Sequence, residues 1–137
     1  VALHSDRRMA VILIAHAKVE KFDDPEASAY DRYSPRLHKH AAALLTEWCD
    51  AVLFATRRFR TQTEDSGFGR QRTTAHGIGP DGGERILRCV GGPSCIAKNR
   101  YDLPAEISLN WSDLMAGITN SQTANQGDQA NGEPARV

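Results

Sequence analysis

From Ala10 to Ala15 every position is apolar, and His16 then closes the run. Continuous apolar character, without alternation, implies a strand buried on both faces, as in a helix-covered parallel sheet. Leaving Val11, Ile12, Leu13 and Ile14 in water would cost about 1.5–3 kcal/mol each, so this strand is expected to be central. Farther on the period lengthens. Leu37, Ala41, Leu44, Leu45 and Trp48 fall on one helical stripe, with Ser34 placed to cap it and Pro35 suited to its first position. The helix should end near Cys49-Asp50, and "AVLFAT", Ala51 to Thr56, reads as a second buried strand. Strand, connection, helix and strand in that order predict a βαβ unit with parallel neighbours and a right-handed crossover.

The next stretch, Thr56 to Arg85, is polar and rich in arginine and glycine. "RILRCV", Arg85 to Val90, alternates and is expected to be the return arm of a long hairpin that leaves from Phe54. A Gly-Gly-Pro turn precedes "SCIAKNRYDLP", and Trp111, Leu114, Met115 and Ile118 mark a short amphipathic helix. From Thr119 onward no aromatic residue appears, and residues 119–137 are expected to be a disordered polar tail behind a domain spanning 1–118. At the other end, "ALHSDRRM" resembles the last turns of a helix, with cations at its negative pole. That start suggests that a preceding part of the fold is missing.

Composition narrows the field without naming a function. The 137 residues, 40% hydrophobic and 25% charged, suit one globular domain. Formal charge is zero, so any binding to nucleic acid or membrane must come from a local patch. The longest apolar run is far short of the ~20 residues of a membrane span. Arg7 and Arg8 interrupt any signal-peptide core. Cys49, Cys89 and Cys95 form neither a disulfide framework nor a zinc-knuckle pattern, and a reducing, cytoplasmic setting is expected.

Several motifs offer chemistry. "GIGPDG", Gly77 to Gly82, matches GxGxxG, but the dinucleotide fingerprint needs a strand before it and a helix after it. Polar residues precede it and a strand-like run follows, so Pro80-Asp81-Gly82-Gly83 is read as a turn. His38 and His40, two apart on the expected helix, should point to opposite sides and cannot chelate one ion. His16 stands beyond the last apolar residue of the expected central strand, the edge where open α/β sheets bind ligands; a locally bonded strand-end histidine is the alternative. The sixteen residues from Lys18 to Tyr33 form a connection long enough to be functional. Phe22, Tyr30 and Tyr33 could stack bases, and Lys18, Lys21 and Arg32 could meet phosphates. Five acidic residues in the same stretch make it net acidic, so charge alone does not argue for DNA. A better basic patch runs from Arg57 to Arg72, where five arginines face two acids, although a solvated hairpin would look similar.

Read in order, "VILIAHAK", "DPEASAYDRYSPRLHKHAAALLTEWCDAVLFAT" and "AKNRYDLP" resemble the C-terminal half of RecA-like AAA-family ATPases of phages, some of which serve single-strand annealing or recombination. The resemblance runs from about Leu3 to Ile118 and implies an α/β fold: the C-terminal part of a RecA-like P-loop NTPase core, a mostly parallel sheet with a hairpin extension. It implies that His16 senses the γ-phosphate and that Lys98 and Arg100 act on a neighbouring subunit's nucleotide. It further implies that Lys18, Lys21, Tyr30, Arg32 and Tyr33 face single-stranded DNA in a homo-oligomer. ATP and Mg2+ would be the cofactors of the complete enzyme. The sequence departs from the family in having no GxxxxGK[ST] and no apolar strand ending in a magnesium-binding Asp. The expectation is therefore a truncated or split ATPase, inactive alone; a non-catalytic nucleotide- or DNA-binding or assembly fragment is the alternative.

Overall fold

The structure is a computed structural model that describes residues 6–7, 9–65 and 71–130 of the chain. The helix tail expected over residues 2–9 falls mostly outside the described residues, as do residues 66–70 of the arginine-rich stretch and 131–137 of the tail. Among the described residues the fold is a sheet-rich α/β arrangement of small antiparallel sheets and two helices.

The expected central strand is the first correction. Residues 9–16 have no regular structure, and Ile12, Leu13 and Ile14 are 62%, 53% and 95% exposed. A run apolar on both faces becomes a strand only when sheet neighbours and covering helices are present, and the described residues supply none here. With that strand goes the parallel βαβ unit: all five strand pairs among the described residues are antiparallel.

The second correction concerns the expected long connection. Strands β1 (Ala17–Phe22) and β2 (Tyr30–Pro35) make it a hairpin, with Ala17 opposite Pro35 and Phe22 opposite Tyr30. Its residues alternate between more and less exposed positions along both strands, the period of a half-covered ribbon. Ser34 therefore does not cap the helix. It is buried in β2 across from Lys18. Helix α1 (Lys39–Trp48) starts four residues after Pro35, with His38 at its N-cap and no side-chain cap. None of its residues is buried, and Leu44 is 66% exposed.

Beyond α1, β3 (Ala51–Val52) pairs with β8 (Lys98–Asn99), and β4 (Phe54–Arg57) pairs with β7 (Arg85–Arg88). The hairpin expected from Phe54 is present, with Phe54 opposite Arg88. Its distal part is a ribbon of β5 (Phe59–Asp65) and β6 (Gln71–Gly77). Strand β9 (Glu106–Ser108) covers the other edge of β7, giving a three-stranded sheet in the order β4-β7-β9. The core gathers around this central strand: Ile86, Leu87, Cys89, Cys95 and Leu103 are buried. Helix α2 (Trp111–Ala130) begins where the sequence placed it and continues past Ile118 to Ala130, into the stretch expected to be disordered. It lies close to the core at Gly117, where a Cβ would stand 2.6 Å from Leu103 Cδ2.

The turn reading of "GIGPDG" holds. The motif sits between β6 and β7, two strands, and Gly79, Asp81, Gly82 and Gly83 all have positive φ. Three backbone hydrogen bonds tie the ribbon's base: Arg58 N–H to Glu84 C=O at 2.8 Å, Ile78 N–H to Arg58 C=O at 2.9 Å, and Glu84 N–H to Ile78 C=O at 2.7 Å.

Candidate functional site

His16 stands exposed at the mouth of the β1–β2 hairpin, immediately before β1. Its carbonyl accepts the N–H of Arg36, just past the end of β2, at 2.6 Å. The histidine backbone thus closes the hairpin where its two strands enter and leave. A shift of His16 would be felt at both strand ends.

Pairing register sorts the five residues assigned to DNA onto two faces. Lys18, Tyr30 and Arg32 share one face, while Lys21 and Tyr33 lie on the other. On the first face the groups are already engaged with one another. Lys18 Nζ pairs with Glu20 at 2.7 Å, and that contact is the main cause holding the Glu20 carboxyl below its ordinary value. The Arg32 guanidinium stacks 3.7 Å from the centre of the Phe22 ring, which itself tilts against Tyr30 at 5.6 Å. The Tyr30 hydroxyl donates to Asp24 at 3.3 Å; partial burial, followed by this carboxylate, raises its phenol above the usual value. Tyr30 therefore stays neutral near physiological pH. On the second face Tyr33 stacks on Phe54 of β4 with ring centres 5.0 Å apart. Its N–H donates to Ser94 C=O at 2.9 Å and its C=O accepts from Ile96 N–H at 3.1 Å. Tyr33 is what joins the hairpin to the core, so its substitution tests the fold as much as any ligand.

Lys98 and Arg100 lie elsewhere, at the C-terminal end of α1. Lys98 Nζ donates to the carbonyls of Thr46 at 3.1 Å and Glu47 at 2.6 Å, groups that a helix end leaves without intrahelical partners. Arg100 pairs with Asp50 at 3.0 Å. No hydrogen bond or ion pair joins either cation to His16 among the described residues. Lys98 is thus a helix C-cap within its own chain. Lys98→Met should lower stability by about 1 kcal/mol, whereas Lys98→Arg should hold the wild-type melting temperature more closely. Equal melting temperatures for wild type and Lys98→Met would show that the cap carries no stability.

The sequence reading missed Asn99, which organises the loop after β8. Its Oδ1 accepts the N–H groups of Tyr101 and Leu103 at 3.2 and 3.1 Å, and its Nδ2 donates to Leu103 C=O at 2.8 Å. Asn at the head of a turn is the available signal, because its side chain can imitate backbone hydrogen bonding. Glu106 was missed too; it draws Arg58 at 2.8 Å and Arg88 at 3.3 Å to the sheet edge.

The metal-related expectations need one correction. His38 is the N-cap and not an interior helical residue, so the argument that it diverges from His40 fails: their rings lie 5.4 Å apart. Among the described residues no group of three His, Cys, Asp or Glu side chains is placed to hold a metal. All three cysteines are free, and burial raises the Cys89 thiol above its usual value, which disfavours the reactive thiolate. No helix among the described residues is long and apolar enough to cross a membrane.

A family profile described as an AAA domain matches residues 3–101. No curated protein and no solved structure matches the chain.

Proposed function

The chain belongs to this AAA-domain family, and from that premise we propose that it is the C-terminal portion of a RecA-like ATPase of phage or bacterial type that acts in DNA recombination or annealing. In this reading His16 reports the γ-phosphate, the β1–β2 hairpin meets single-stranded DNA, and Lys98 and Arg100 exchange the Thr46 and Glu47 carbonyls and Asp50 for a neighbouring subunit's nucleotide on assembly of a homo-oligomer. ATP and Mg2+ are held by a phosphate loop and a metal-binding Asp, neither of which this sequence contains. The observation that carries the proposal is the hydrogen bond from Arg36 N–H to His16 C=O, because it links the proposed sensor to both ends of the proposed DNA-facing element.

Stacking, not charge, is the hairpin's means of holding a strand. Lys18 is neutralised by Glu20, while Arg32 over the Phe22 ring and Tyr30 tilted against it form an aromatic and cationic edge that a base can extend. Tyr30→Ala should therefore weaken single-strand binding by about 1–3 kcal/mol, with little change in its salt dependence. Lys21→Ala should do less. Titration of a labelled oligothymidylate at two salt concentrations decides this; wild-type affinity in Tyr30→Ala would make the hairpin a structural element. The same preparation should show no ATP turnover above a mock purification, since phosphoryl transfer depends on the missing phosphate cradle. Turnover abolished by His16→Ala would refute the reading and place a different catalytic site at His16.

One observation favours a non-catalytic assembly role as the second reading. Ile12, Leu13 and Ile14 are exposed beside His16, an apolar stretch suited to cover by another surface.

A further inference from the structure

The β5–β6 ribbon has two unlike faces. Pairing of Arg60 with His76, Gln62 with Thr74 and Glu64 with Arg72 puts both described arginines of the ribbon, with Gln62, Glu64 and His76, on one face. The other carries Phe59, Thr61, Ala75, the Thr63–Thr73 pair, whose hydroxyls lie 3.1 Å apart, and at the far end Gln71, which pairs with Asp65. Nearly all the described ribbon side chains are exposed. Arginines near the base are already engaged: Arg57 donates to Asp81 C=O at 2.7 Å, and Arg58 pairs with Glu84 and Glu106. Arg60 and Arg72 differ from them, since neither forms an ion pair with any described residue, Glu64 included. Beside Arg60 an open cleft of about 450 Å³ is lined by Gln62, His76, Gly77 and Ile78.

We propose that the polar face of the β5–β6 ribbon docks duplex DNA, with Arg60 and Arg72 as its phosphate anchors. This goes beyond the ATPase reading, which puts a single strand on a different hairpin. Three features select the duplex. A two-stranded β-ribbon fits the major groove, which is about 12 Å wide. The two arginines sit on opposite strands four residues apart in register, a diagonal of roughly 14 Å, so each can reach a phosphate on a different groove wall. The polar face has no Phe, Tyr or Trp, and its single ring, the His76 imidazole, lies at the base of the ribbon opposite Arg60, so it lacks the run of aromatic platforms on which successive bases of a single strand stack. Gln62 and Thr74, between the arginines, present the amide and hydroxyl groups that meet base edges.

The test measures fluorescence anisotropy of the 137-residue chain with a DNA duplex of about two helical turns, an oligothymidylate and poly-glutamate, across roughly 50–200 mM salt. The wild type should bind the duplex with an affinity that falls steeply as salt rises. Arg60→Ala with Arg72→Ala should flatten that salt slope by about two and weaken duplex binding by about tenfold or more at low salt, with an unchanged thermal melt. Thr61→Ala, on the opposite face, should bind as wild type does. The proposal is overturned if the double variant keeps the wild-type slope, or if the wild type does not bind the duplex. Tighter binding to poly-glutamate than to duplex also overturns it, in favour of an acidic protein partner. So does an equal loss of oligothymidylate binding in the double variant, because the ribbon would then hold any strand. Loss of single-strand binding in Tyr30→Ala alone bears on the ATPase reading and leaves this one untouched.

Discussion

Ile86→Ala is expected to lower the free energy of unfolding by about 2–5 kcal/mol, a large share of the roughly 5–15 kcal/mol that holds a domain folded. Ile86 is 2% exposed on the strand flanked by both β4 and β9, in a core with few other buried apolar side chains. Removing its outer carbons leaves a cavity that the sheet cannot close, because hydrogen bonds to strands on both sides fix the backbone. Ile86→Val deletes a single methylene and should cost only about 0.5–1.5 kcal/mol. Urea denaturation of the two variants measures the ratio. Equal, small losses would mean that the sheet is not where the fold's stability resides.

Gly83→Val should disrupt the base of the ribbon. Gly83 has φ of +121°, a region that β-branched residues scarcely enter. A Cβ there would stand 2.7 Å from the Arg58 carbonyl oxygen, which already accepts the Ile78 N–H. Backbone strain alone amounts to about 1–3 kcal/mol, and the steric overlap adds to it. Amide hydrogen exchange at Arg58, Ile78 and Glu84 should accelerate sharply, while amides of the β1–β2 hairpin should change little. Unaltered protection at those three positions would show that the turn has another conformation open to it.

These two positions also show what the sequence made legible. The return strand was readable because Ile86 and Leu87 stand between arginines at a boundary rich in glycine, and the turn was readable from Pro80 through Gly83. The helix stripe was readable, yet its start was misplaced. Ser34-Pro35 has the chemistry of a helix beginning, and only the pairing of Ser34 with Lys18 shows that it belongs to a strand. The apolar run at Val11–Ala15 misled for a related reason. Local pattern reports what a segment would bury, but not whether neighbours exist to bury it, and Ile14 remains 95% exposed. At the candidate site, the aromatic and basic residues of Lys18–Tyr33 were visible as types. Their mutual engagement was not, because cross-strand register decides which of them meet. Tyr33 looked like a base-stacking residue and instead stacks on Phe54, a partner twenty-one positions away.

The closed ring of hydrogen bonds among Arg58, Ile78 and Glu84 bears on how this chain can change over time. It brings the ends of the ribbon together independently of anything farther out, so the sheet below is insulated from the length of what it carries. Closing a longer excursion on such a base costs little, about 0.6 kcal/mol for each doubling of its length. The distal part of the ribbon can therefore be extended, trimmed or exchanged by insertion and deletion while the strands beneath it stay in register. New specificity can be acquired there with little disturbance to the sheet beneath.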